Sequence, residues 1–162
     1  DMDYNAKDSR LASVAGQILT SRLIETVREK EGAVYSIGAS GYLGRVPGQN
    51  CYMMSNFPMK PELKEKVLGM IATEFDNMTK NITEEELNKI REFMIKDIAE
   101  GYEKNDNWLN GIVGYEMSGV DAFNGMENVV SSITVQDVQD FMKRLLDQGN
   151  YRVVILDPEV AQ

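Results

Sequence analysis

The sequence predicts an α+β fold: an antiparallel sheet covered on one face by long helices. Three observations lead there. Apolar residues recur at three- and four-residue steps over several long stretches, which is helical periodicity. The period changes to two over residues 33–43, and a compact run of strand-favouring residues, "YRVVILDP", closes the chain. One hairpin and one distant strand are little sheet for so many helices, so N-terminal strands are expected to be missing. At 162 residues the chain suits one domain, 1–162, expected to be a piece of a longer polypeptide because it opens on Asp1 rather than methionine.

The elements follow in order. Over residues 7–30, Leu11, Val14, Ala15, Ile18, Leu19, Leu23 and Val27 form one wide stripe. Asp8 is the expected N-cap, Gly32 the expected stop, and "REKE" a solvated last turn. From Ala33 the residues alternate, with Val34, Ser36, Gly38, Ser40 and Tyr42 on one side and Ala33, Tyr35, Ile37, Ala39 and Leu43 on the other. Gly38 and Gly41 leave room there for a close approach by another backbone. "GRVPGQN" turns the chain, and "CYMMSNFP", residues 51–58, returns as the second strand of an antiparallel hairpin. Pro61 opens the next helix, carried by Leu63, Val67, Met70, Ile71, Phe75 and Met78. Thr83 with Glu86, and Thr134 with Asp137, are capping-box pairs that start two further helices. Between them "NDNWLNGIVGYEM" reads as a shorter helix weakened by glycines.

Composition excludes several chemistries. The chain contains no histidine, which removes a Ser-His-Asp triad, a Cys-His pair and any histidine-bearing zinc site. Its single cysteine, Cys51, cannot form an internal disulfide. The net charge of −9, with basic and acidic residues interleaved, speaks against nucleic acid. No apolar run approaches the roughly 20 residues that span a bilayer, and no targeting segment is visible at the N-terminus, so the chain reads as soluble.

The run "ILTSRLIETVREKEGAVYSIGASG" resembles the C-terminal half of the pitrilysin/insulinase family of zinc peptidases, which includes the mitochondrial processing peptidases. The matching features are Arg22-Leu23 within the helix, a turn from Arg28 to Gly32, and Tyr35 at the start of the next strand. The resemblance implies a two-part enzyme. One half, in the same chain or in a partner subunit, carries the zinc. The other half, of the same fold and without metal ligands, closes over the peptide substrate and lends it an arginine and a tyrosine. Those would be Arg28 and Tyr35, with Ser36 and Gly38 of the adjoining strand lining the substrate chamber. No cofactor is then expected in this chain, and it should be inactive alone. Metal-assisted peptide hydrolysis develops an oxyanion on the scissile carbonyl, and a phenol hydroxyl can donate a hydrogen bond to it. An arginine supplies a fixed charge and a planar donor fork for a carbonyl or carboxylate.

Plainer readings stand beside these. Arg28 in a last helical turn also complements the negative end of the helix dipole, and a strand tyrosine is commonly a half-buried packing residue. Cys51 reads as a small buried side chain, and Trp108, Phe123 and the methionines as core or interface fillers. The rival function is a non-catalytic scaffold or peptide-binding subunit of the same fold. Exposed sheet edges would also invite association between copies of the chain.

Overall fold

The computed structural model describes residues 2–44, 50–121 and 123–156. Its first helix, α1, spans Ala6–Leu23 and continues without a break into a π-helical stretch, Ile24–Lys30. Two strands follow, β1 (Ala39–Gly44) and β2 (Asn50–Ser55). A 3₁₀ turn at Pro61–Leu63 leads into α2 (Lys64–Asn77), then α3 (Glu84–Gly101), α4 (Asn105–Ser118), α5 (Met126–Ser131) and α6 (Val135–Leu146). The result is α+β, with a small antiparallel sheet on one side of a helical layer.

Helix α1 is the axis of the molecule. It packs on β1, α2, α3, α5 and α6, and every residue of its expected stripe is buried. Ala12 and Gly16 are buried too, a second stripe of small residues that faces the sheet. Burying one Leu or Ile side chain stabilises by roughly 1.5–3 kcal/mol. Exposed ion pairs such as Lys7–Asp137 contribute roughly 0–1 kcal/mol. The stripe therefore dominates the docking of the helices.

The N-terminus of α1 differs from expectation. Asn5, not Asp8, is the cap: its side-chain oxygen accepts the Asp8 N–H at 2.8 Å. Asp8 turns inward and meets Arg144 of α6, whose guanidinium donates at 2.6 and 3.1 Å. The long-range charge pair competes for the Asp8 carboxylate, and the neighbouring amide takes over the capping. At the other end Gly32 stops the helix with φ of +59°. Its N–H donates to the Arg28 carbonyl and the Ala33 N–H reaches back to Val27.

Both expected capping boxes form. Thr83 accepts the Glu86 N–H while Glu86 accepts the Thr83 N–H, and Thr134 and Asp137 do the same for α6. Glu86 also receives Nε and Nη2 of Arg22 at 2.6 and 2.9 Å, tying the start of α3 to α1. Further along, Tyr102, Trp108 and Phe123 form an aromatic cluster that joins α3 to α4.

The sheet is shorter than the sequence suggests. Residues 33–38 form no ladder, and β1 begins only at Ala39. Ala33 and Val34 are both buried, which adjacent residues of a flat strand cannot be on one face, so the chain bends at Tyr35 and buries Ile37 instead. β2 ends at Ser55, short of the expected Pro58. The closing run 151–156 pairs with neither strand, leaving Val154 and Leu156 at 86% and 93% exposure. Strand propensity without an adjacent edge makes no strand. Asp157 and Pro158, and Pro47 and Gly48 of the hairpin turn, lie outside the described residues.

In the register, Tyr42 lies opposite Tyr52, with stacked rings 5.3 Å apart on the outer face. Leu43 and Cys51 face α1. Burial raises the Cys51 thiol above its ordinary range, which suits a packing residue rather than a nucleophile. At the crossing of α1 and β1 the backbones nearly touch. A Cβ on Gly41 would lie 1.9 Å from the Ala12 carbonyl oxygen, and one on Gly16 would lie 2.6 Å from Gly41 N. Gly41 therefore serves the close approach expected of it. Gly38 does not: a Cβ there would meet only the Thr20 side chain, at an ordinary 3.8 Å.

Candidate functional site

The corner between α1 and β1 carries all four candidate residues. Arg28 sits on the π-helical stretch, whose wider turn is a form often met at functional sites. Its side chain is exposed. Gly32 then reverses the backbone, Ala33 and Val34 plug into the core, and Tyr35 is thrown outward at 88% exposure. Ser36 is exposed beside it, Ile37 returns to the core, and Gly38 is half-buried. The pattern is two buried residues, two exposed, one buried, so the loop is pinned on both sides of its exposed pair. Among the described residues nothing hydrogen-bonds to the side chain of Arg28 or Tyr35.

The loop's exit is also held. The Thr20 hydroxyl accepts the Ala39 N–H at 2.7 Å and lies 2.9 Å from both the Ala39 and Gly16 carbonyls. Ser55 Oγ donates to the Gly38 carbonyl at 2.7 Å. Sequence reasoning missed Thr20 and Ser55. A hydroxyl at mid-helix usually bonds back to its own carbonyl four residues earlier, and no local pattern reveals a second partner from a strand.

Neither principal cavity includes Arg28 or Tyr35. The larger groove, about 1040 Å³, runs between β2 with the following segment, α2 and residues 150–156. A smaller one, about 430 Å³, lies around Arg10, Tyr102 and α4. Ser36 and Gly38 line neither. The candidate residues thus stand on open surface, where two donors can reach a molecule held by something else but cannot enclose it. Among the described residues no group of three or more Cys, Asp or Glu is placed to hold a metal ion. No helix among them is long and apolar enough to cross a membrane.

The described residues form an α+β domain whose α1–β1 corner exposes the side chains of an arginine and a tyrosine. A family model described as "Peptidase M16 inactive domain" matches residues 2–94, and the chain belongs to that family. It is the part from α1 to mid-α3, including the whole candidate corner, that carries the match. No curated protein matches the chain. Among solved structures, a conserved protein from Enterococcus faecalis superposes with a TM-score of 0.72 at 19% identity, covering 87% of this chain and 33% of that one. The periplasmic protease PqqL from Escherichia coli gives 0.68 at 20%, covering 85% and 16%. The ferredoxin protease FusC, a mutant solved with Arabidopsis ferredoxin, gives 0.74 at 14%, covering 88% and 16%. At these identities the likeness is one of fold, and the chain spans a third or less of each of those proteins.

Proposed function

We propose that this chain is the substrate-closing, non-metal-binding half of a zinc metalloendopeptidase, one domain of a longer polypeptide or assembly. The observation that carries the reading is the corner itself: an exposed Arg28 at the end of the helix and, seven residues on, an exposed Tyr35 on a loop anchored in the core by Ala33, Val34 and Ile37. An exposed tyrosine on mobile backbone would lose its donor geometry; one held by Ala33, Val34 and Ile37 keeps it. The family match supports the non-catalytic half as the setting.

In this reading the metal chemistry is supplied by a separate zinc-bearing half. Peptide lies between that half and the α1–β1 corner. Tyr35 donates its hydroxyl hydrogen to the carbonyl oxygen as negative charge develops there, and Arg28 holds a neighbouring carbonyl or carboxylate of the substrate. Ser36 and the Gly38 backbone complete the contact surface. Support for a covering partner comes from the apolar residues left in solvent: Leu109, Ile112 and Met117 on α4, and Val154 and Leu156 near the end. Association between copies through the free edges of the two-stranded sheet is a subsidiary reading of the same surfaces.

The test is Tyr35→Phe in the full-length protein with its zinc-bearing half. Loss of one oxyanion donor should lower kcat by roughly 10²–10³ with KM little changed. Unchanged turnover would favour the scaffold reading. The chain purified by itself should show no chelator-sensitive peptide hydrolysis.

A further inference from the structure

We infer that Thr20 is a positioning residue: its hydroxyl fastens the exit of the Tyr35 loop to α1 and thereby fixes where Tyr35 stands. The inference rests on the proposed role of Tyr35 in peptide hydrolysis.

The geometry is specific. The loop leaves the π-helical stretch at Gly32 and re-enters regular structure at Ala39. Its entry is set by the Gly32 turn, through the Ala33 N–H and the Val27 carbonyl. Its exit is set by Thr20, which touches both backbone polar groups of Ala39, taking the N–H at 2.7 Å with the carbonyl 2.9 Å away. One residue earlier, Ser55 Oγ donates to the Gly38 carbonyl. Beyond these, the β1–β2 ladder begins with Ala39 opposite Ser55, and the Gly16–Gly41 crossing follows. Without the hydroxyl, the Ala39 N–H in this half-buried place loses its acceptor, and residues 35–38 lose their one tie to α1 on the downstream side, keeping only those to β2. Helix α1 itself keeps its stripe, so the effect should be confined to the loop.

The experiment compares Thr20→Val, which keeps the shape and removes the hydroxyl, with Thr20→Ser, which keeps the hydroxyl. Both are made in the full-length protein, with Thr20→Ala as a second way to remove the hydroxyl should Thr20→Val fail to fold. Hydrogen exchange of amides 33–39 should speed by about tenfold or more in Thr20→Val while α3 and α6 are unchanged. In turnover, kcat should fall by about tenfold with KM steady, since a donor displaced by an ångström acts mainly on the transition state. Thr20→Ser should restore both readouts. If Thr20→Val, or Thr20→Ala in its place, leaves loop exchange unchanged, the inference is overturned. It is overturned as well if exchange rises and kcat holds while Tyr35→Phe is impaired. If instead Tyr35→Phe is fully active and loop exchange still rises, the fastening stands and the proposed catalytic role of Tyr35 is what fails.

Discussion

Gly38 and Gly41 look alike in the sequence, three residues apart in one alternating run, and their surroundings make them opposites. Gly41→Ala should cost about 3 kcal/mol or more, because its Cβ would overlap a helix carbonyl that cannot move alone. Gly38→Ala should lie between neutral and about 1 kcal/mol stabilising, since the space is open and glycine entropy is removed from the unfolded chain. Urea denaturation of the two variants, with unchanged m-value, checks the pair. The contrast also marks how much of the site was legible. Arg28 and Tyr35 were singled out by the family resemblance, whose motif lies within one local stretch around a helix stop. Thr20 and Ser55 were not, because each acts on a backbone group 17 to 19 residues away.

Among elements, helix boundaries were read most closely, since caps are made by residues three apart. Thr83→Ala should destabilise by about 1 kcal/mol, measured as a lower denaturation midpoint. Thr83 also fixes Glu86 for Arg22, so Thr83→Ser should recover most of the loss. Gly32→Ala should cost roughly 1–2 kcal/mol through backbone strain alone, because no atom stands within 4 Å of the added Cβ. Strands were read less well. Residues 33–38 and 151–156 have the composition of strands, but a ladder needs a second edge, and composition does not say whether one is present. The Asn5–Asp8 exchange shows the same limit at a cap: an N-cap aspartate is locally plausible until a distant arginine claims it.

At the scale of the whole molecule, charge pairs join distant segments, and they set an acid limit. For Asp8, burial raises the carboxyl, but the hydrogen bonds from Arg144 and Asn5 and the Arg144 charge outweigh it and hold it below its ordinary value of 3.8. For Glu86, burial likewise raises it, and Arg22 with Thr83 brings it below 4.5. A carboxyl depressed by folding contributes stability that is present above its unfolded value and lost as pH falls through the lower folded one. Stability should therefore be steady near pH 7 and decline below about pH 4 as these two groups take up protons. Arg144→Gln should cost roughly 1–2 kcal/mol at pH 7, less than a fully buried pair because Arg144 is half exposed. Its cost should shrink as pH falls through the lowered folded value of Asp8, once Asp8 is protonated in both proteins. Denaturation of both proteins over a descending pH series from 7 tests this. The sequence by itself determined the α+β class, the helix stripes and capping boxes, the absence of histidine chemistry, and the corner that carries Arg28 and Tyr35. Those depend on residues a few positions apart, where periodicity and local hydrogen bonds act. Only the tertiary structure decided that Tyr35 points outward from a pinned loop, that Asp8 and Arg22 hold α6 and α3, and that the closing run goes unpaired. Those outcomes depend on partners 64 and 136 residues away, or on an edge strand being present, and local spacing carries no information about either.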